Sequence, residues 1–136
     1  MMYTVRIEAA EATVEMVEIR EGASIQNVGH ELIGCRMIEI VQPRYFLKGY
    51  CIVIDEEGWL KEEPVLNAVA SHMYGMHKHG QGIVGNAIVM KNVMTGDGPD
   101  VGWLTKEEAE AVVIWIKARA HLIYSEIGAA VTGRMG

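Results

Sequence analysis

Three histidines, His72, His77 and His79, fall within eight residues of one another, with Met73 and Met76 among them. Imidazole is a common ligand of transition metals, and two histidines one residue apart can reach one ion. A zinc centre needs a fourth group, and Asp97, His121 or a water are the available choices. Neither Cys-x-x-Cys nor His-Glu-x-x-His spacing accompanies them. The simpler reading is a polar surface loop with solvated imidazoles. His72, His77 and His79 are therefore the metal candidates, and the expectation is that no metal or other cofactor is bound.

Other groups able to do chemistry are weaker still. Asp55, Glu56, Glu57, Glu62 and Glu63 surround one turn. Paired carboxylates perform acid–base work when burial separates their pKa values, but in a turn they are normally solvated. Gly80-Gln81-Gly82 and Gly96-Asp97-Gly98 could present backbone amides to a phosphate. Neither has the spacing of a P-loop or a dinucleotide fingerprint. Ser71 beside His72 is not a triad signature, because triads assemble in space rather than in sequence. Cys35 and Cys51 lie in or beside apolar runs and read as buried free thiols, which favours a reducing compartment. Among the cations, Arg36, Arg44, Lys48 and Arg119 are candidate contacts for an anion, since guanidinium forks match phosphate oxygens.

The elements that would position these groups follow from periodicity. Tyr3, Val5, Ile7 and Ala9 alternate with polar residues, as in a half-buried strand. Glu11 to Ile19 holds a second strand, whose phase breaks at Met16-Val17 and allows a bulge or a change of face. Ser24 caps a short helix carrying Ile25, Val28, Gly29 and Leu32, which stops at Gly34. Met37 to Val41 and Tyr50 to Ile54 are expected strands. Asp55-Glu56-Glu57-Gly58 reads as a hairpin turn, with glycine supplying positive φ. Asn67 caps a second short helix ending near Tyr74. Ile83 to Lys91 is a strongly apolar central strand, and Thr95 to Gly102 a breaker-rich loop. Thr105-Lys106-Glu107-Glu108 is a capping box, and Ala109, Val112, Val113, Ile116, Ala120, Ile123 and Ile127 form one apolar stripe beyond it.

Runs of this kind predict an α+β fold: a small, mixed, mostly antiparallel sheet with two short helices and one long C-terminal helix packed on it. The chain reads as a single domain, residues 1–136, with that helix at 105–128. Half of its residues are hydrophobic and 22% are charged, which suits a packed core. The net charge is −6, and the twelve basic residues are scattered. Direct duplex nucleic-acid binding, which needs clustered cations, is set aside. No apolar run is long enough to span a bilayer and the N-terminus lacks a signal pattern, so the expected location is cytoplasmic.

From about residue 17 to residue 100 the chain resembles the domain of unknown function 3846, an uncharacterised family of bacteria, phages and mobile elements. Glu31-Leu32-Ile33-Gly34 followed by Ile38-Glu39-Ile40-Val41 is similar to the family's helix, turn and strand. Cys51-Ile52-Val53-Ile54-Asp55-Glu56-Glu57-Gly58 is similar to its acidic hairpin. Pro64, Asn67 and Ala70 are similar to its proline, asparagine and alanine positions, and Ile83-Val84-Gly85-Asn86-Ala87 to its glycine-centred strand, where members often carry Asp at the position of Asn86. The His-rich loop and the long last helix depart from the pattern. The resemblance implies no catalytic residues, only a setting among small accessory genes of phages and plasmids. In that setting the location would be the host cytoplasm.

The last helix has a second apolar face. Ala111, Ile114, Trp115, Ala118 and Leu122 fall away from the core stripe, where a one-sided surface helix should be polar. The expected role is an oligomer interface, in a dimer or higher homo-oligomer. The function expected is a non-enzymatic accessory protein that antagonises host defence, sequestering a small nucleotide-like anion or blocking a host protein. The alternatives are a small metal-dependent hydrolase using the His72, His77 and His79 loop, or a structural subunit of a larger assembly.

Overall fold

The computed structural model describes residues 1–75 and 81–119. The elements in order are β1 (Met2–Ile7), β2 (Val14–Ile19), α1 (Ile25–Leu32), β3 (Ile38–Val41), β4 (Tyr50–Asp55), a single 3-10 turn (Gly58–Leu60), α2 (Ala68–Tyr74), β5 (Ala87–Thr95) and β6 (Gly98–Gly102). A last helix, α3, is described over residues 106–119. The fold is α+β.

One antiparallel sheet runs β2-β1-β5-β4-β3, with β6 also paired to β5. Lys91 of β5 opposes Tyr50 of β4 and Gly102 of β6. A strand has two edges, so β6 lies on the same side of β5 as β1. The apolar run expected as a central strand over Ile83 to Lys91 supplies one from Ala87 onward, running on to Thr95, while Val84 only bridges Leu66; both faces of β5 are covered. On one face Val5, Ile7, Ile52 and Val89 pack beneath α2 and α3, through Val69, Met73, Ala109, Val112 and Ile116. On the other, Cys51, Val53, Ile88 and Met90 pack beneath α1 and its flanks. Gly29 lets α1 come close, since a Cβ there would lie 2.7 Å from the Cγ2 of Ile38.

The helix starts are those written in the sequence. The Ser24 hydroxyl accepts the Asn27 amide at 3.1 Å, and the Asn67 carboxamide oxygen accepts that of Ala70 at 3.0 Å. The capping box closes reciprocally: Thr105 Oγ1 accepts from Glu108 N at 3.1 Å, and Glu108 Oε1 accepts from Thr105 N at 2.8 Å. Each satisfies amides that the first turn of a helix leaves unpaired.

Three local expectations change. The β1–β2 ladder is unbroken from Met2↔Ile19 to Ile7↔Val14, with no bulge at Met16-Val17. Both faces of β2 meet apolar neighbours, Val14 and Met16 on one side and Ile19 on the other, which is what disturbs its alternation. The breaker-rich stretch is a hairpin, with β6 pairing back from Thr95↔Gly98 to Lys91↔Gly102. Asp55 to Gly58 is no hairpin turn: β4 lies between the preceding β3 and the distant β5, and the chain passes from it into the 3-10 turn. Gly58 is needed there for closeness rather than for positive φ, since a Cβ would lie 3.0 Å from the carbonyl oxygen of Val84.

Candidate functional site

The two ends of the β3–β4 pair hold most of the chemistry. At one end β4 finishes in Asp55, whose side chain is 4% exposed. Its Oδ1 accepts the Glu57 amide at 2.9 Å, and its Oδ2 lies 3.3 Å from Lys61 Nζ. Lys61 also donates to the carbonyl oxygen of Gly34 at 3.2 Å, tying the turn after β4 to the end of α1. Beside it, Arg36 forms a two-pronged pair with Glu57, at 3.1 Å from Nε and 2.7 Å from Nη2. The Arg36 hydrogen bond holds the Glu57 carboxyl below the usual carboxylate range. Of the acidic cluster, Asp55 is buried and ion-paired, whereas Glu56, Glu62 and Glu63 are exposed. A cavity of about 200 Å³ opens on Asp55, Gly58, Pro64, Gly85 and Asn86.

Two asparagines brace the same end. Asn67 Nδ2 donates to the carbonyl oxygens of Ile7 at 2.9 Å and Gly85 at 3.0 Å, while its oxygen caps α2. Asn86 accepts the Ala9 amide at 2.9 Å and reaches the carbonyl of Leu32 at 3.4 Å. Buried polar groups demand such partners. Each side chain therefore bolts the finish of β1 to an element far away in sequence.

The opposite end is built differently. The 42–49 connection carries Arg44 and Lys48, both exposed. Phe46 on that connection meets the Trp115 ring edge-on, with centroids 5.1 Å apart. The Arg119 guanidinium lies over Trp115, 4.1 Å from the ring centroid. The guanidinium thus occupies one face of the ring in a cation–π contact, and its Nη1 donates to the Trp115 carbonyl oxygen at 3.3 Å. Ile114 is 69% exposed, and Ala111 and Ala118 are exposed along the same helix. One pair here is internal: Lys91 Nζ lies 2.8 Å from Glu108 Oε1, and that hydrogen bond, with the Thr105 amide, holds the Glu108 carboxyl low.

Of the four candidate anion contacts, Arg44, Lys48 and Arg119 thus belong to one region through Phe46 and Trp115. Arg36 lies at the other end of the pair and is taken by Glu57. Trp115 is half-buried against its own chain, and Leu122 lies outside the described residues. So do His77 and His79. His72 sits on α2 with its ring 6.4 Å from that of Tyr45. Among the described residues no three His, Cys, Asp or Glu side chains gather as metal ligands. Both cysteines are free and buried. Burial pushes the Cys51 thiol up to about 11 and raises that of Cys35, with the Asp55 charge adding to it. Reactive thiolates sit in the opposite kind of environment. Sequence reading passed over Phe46 and Lys61. The interleaving of cations and aromatics in Arg44-Tyr45-Phe46-Leu47-Lys48 was the available signal for the first; nothing local marks the second.

A family model described as a domain of unknown function (DUF3846) matches residues 2–119. The match is longer than the 17–100 stretch that the motifs delimit, and takes in β1 and the described length of α3. Comparison with curated proteins and with solved structures finds no match. No helix among the described residues is long and apolar enough to cross a membrane.

Proposed function

The chain belongs to the DUF3846 family, and from that premise we propose that it is a non-enzymatic binding protein, an accessory factor of a phage or mobile element that antagonises host defence by sequestering a small nucleotide-like ligand. The observation that carries this reading is the Arg119 guanidinium lying over the Trp115 ring. A nucleobase is a flat π-system that stacks on aromatic side chains and on guanidinium planes. Its phosphates take charge-assisted hydrogen bonds from Arg and Lys. Arg44 and Lys48 place further positive charge on the connection whose Phe46 meets Trp115.

Calorimetric titration with a cyclic dinucleotide, and with inorganic phosphate as control, tests the reading. The dinucleotide should bind and phosphate alone should not. Trp115→Ala should weaken binding about tenfold or more, because it removes the ring that seats the Arg119 guanidinium, and one base stack contributes roughly 1–3 kcal/mol. The nucleotide should be recovered intact. Cleavage that disappears when His77 and His79 are replaced would select the metal-dependent hydrolase instead, and no binding by any nucleotide probe would reject the proposal.

A second reading, self-association, rests on the exposed Ile114 flanked by Ala111 and Ala118, at helical spacings of three and four. Closed two-fold dimers are the commonest oligomers. Light scattering should report a dimer or larger species that Ile114→Glu dissociates. A 15.0 kDa species alone for the parent chain would overturn this reading.

A further inference from the structure

Strand β2 lies at the outer edge of the sheet and, among the described residues, pairs with β1 alone. The direction of its unpaired groups follows from the ladders beside it. Tyr3 exchanges both backbone bonds with Leu104, at 2.8 Å each, so its N–H and C=O point away from β2. Met2, Thr4 and Arg6 then point toward β2, where they oppose Ile19, Val17 and Glu15. The same phase continues in Glu8, whose amide donates to the Thr13 carbonyl at 2.9 Å. Val14, Met16 and Glu18 therefore turn their amides and carbonyls outward. Such an edge is a template for a further strand.

A groove of about 440 Å³ runs beside the second half of this edge, between β2, the turn after it and α1. Val17, Ile19 and Leu32 give it an apolar floor and Glu21 and Glu31 an acidic rim, while Glu18, between Val17 and Ile19 on β2, turns its side chain to the other face of the sheet. None of these three glutamates forms an ion pair among the described residues, whereas Glu15, further along β2, is tied to Arg6. Arg20 is the cation beside the two rim carboxylates, and His30 turns its Nδ1 to the Cys35 carbonyl at 3.3 Å.

We propose that this groove docks an extended, basic segment of a partner protein. The segment adds to β2 as a new edge strand, with backbone bonds to Met16 and Glu18. Its side chains alternate across the sheet, so those on the α1 face reach the apolar floor and, at its end, Glu21 and Glu31, while a lysine or arginine between them meets Glu18 on the other face. The charge complementarity favours this occupant, and the net charge of −6 draws a cationic segment in from a distance. Two other occupants fit worse. A nucleic-acid strand would bring phosphates to three carboxylates. A second copy pairing edge to edge would bring Val14-Glu15-Met16-Val17-Glu18-Ile19 against itself, with two glutamates and no cation in either strand to meet them.

A fluorescein-labelled peptide alternating lysine and valine, followed by anisotropy, tests the proposal on the full chain. Saturable binding is expected, weakening as salt is added. The double variant Glu21→Lys with Glu31→Lys should weaken it about tenfold or more, the loss of roughly one good charge contact. Glu21→Gln with Glu31→Gln should give a smaller loss, and serves if the lysine pair disturbs folding. N-methylation of alternate peptide amides should abolish binding, because it removes ladder donors and leaves the charge intact. Binding that survives N-methylation, or that ignores both glutamate variants, would reduce the site to diffuse electrostatics and overturn the proposal. So would an absence of binding, or a change in the oligomeric state of the groove variants, which would assign the edge to a second copy. The groove variants leave Trp115 and Arg119 untouched, so nucleotide binding is read independently.

Discussion

Where β4 ends, Asp55 is buried and bound to Lys61, Arg36 is locked to Glu57, and Asn67 and Asn86 bolt three elements together. Where β4 begins, Arg44 and Lys48 are exposed on a connection whose Phe46 leans on Trp115, with Arg119 above. The first end uses its polar groups on itself; the second leaves cations and aromatic surface for something else. Six of the positions that carry the family resemblance, Asp55, Gly58, Pro64, Asn67, Gly85 and Asn86, belong to the first end, and four of them have bracing or close-packing duties there. In this chain, therefore, positions that carry the resemblance include ones that hold the fold together.

The sharpest way to break that comparison is at Asn67. Replacing it with alanine removes the α2 cap and leaves the Ile7 and Gly85 carbonyls without their donor. The summed cost is about 2–4 kcal/mol, read as a lower midpoint of urea unfolding, with no change in nucleotide binding by the folded protein. A midpoint unchanged from the parent would show that the bracing is not what stabilises this end.

Asp55→Ala comes next. It strands the Glu57 amide and removes the partner of Lys61, at about 1–3 kcal/mol. The figure stays below that for breaking a fully buried pair because Lys61 is half-exposed and can turn to water. A much larger loss on a chain that still folds would mean that Lys61 is more deeply committed than its exposure indicates.

Glu108 tests an internal ion pair at the open end through pH. Its carboxyl is held below the ordinary 4.5, first by the Lys91 hydrogen bond. The folded state therefore binds this proton less readily than the unfolded chain. The stabilisation is present above 4.5 and is lost as pH falls through the lower folded value. The stability advantage of the parent over Glu108→Gln should be steady at neutral pH and shrink in acid below 4.5. An advantage that persists unchanged at lower pH would discard the pair as its source.

The smallest effect on stability is expected from Arg44→Ala with Lys48→Ala. Both are exposed, so thermal melting should move by no more than the equivalent of about 0.5 kcal/mol, while binding of a cyclic dinucleotide weakens. Loss of stability without loss of binding would reverse the roles assigned to the two ends.

Much of the framework was legible because its signals are local. Ser24, Asn67 and Thr105 each cap a helix whose amides lie two or three residues on, and β1 alternates because one face of the sheet is covered by α2 and α3. Strand β6 was hidden because Gly96, Gly98 and Pro99 read as breakers. At an outer strand they are tolerated: Gly98 takes φ +110 after the turn, and Pro99 opposes Met94 where the ladder ends. Asp55–Gly58 differs for a related reason, since a strand followed by Asp-Glu-Glu-Gly looks the same whether the chain doubles straight back or passes into a 3-10 turn.

By itself, then, the sequence determined the α+β class, the three helix starts, the central place of the β5 run and the two free, buried thiols. Tertiary structure decided which strand each strand joined, why Gly58 must be glycine, and which cation was left over. Arg36 and Arg44 are alike as residue types. One faces Glu57, brought to it from twenty-one residues away by the β3–β4 pairing, and the other stands on an open connection. Caps are settled within one turn of chain, where geometry is short-ranged; ion pairs between strands depend on register, which the packing of both sheet faces fixes together.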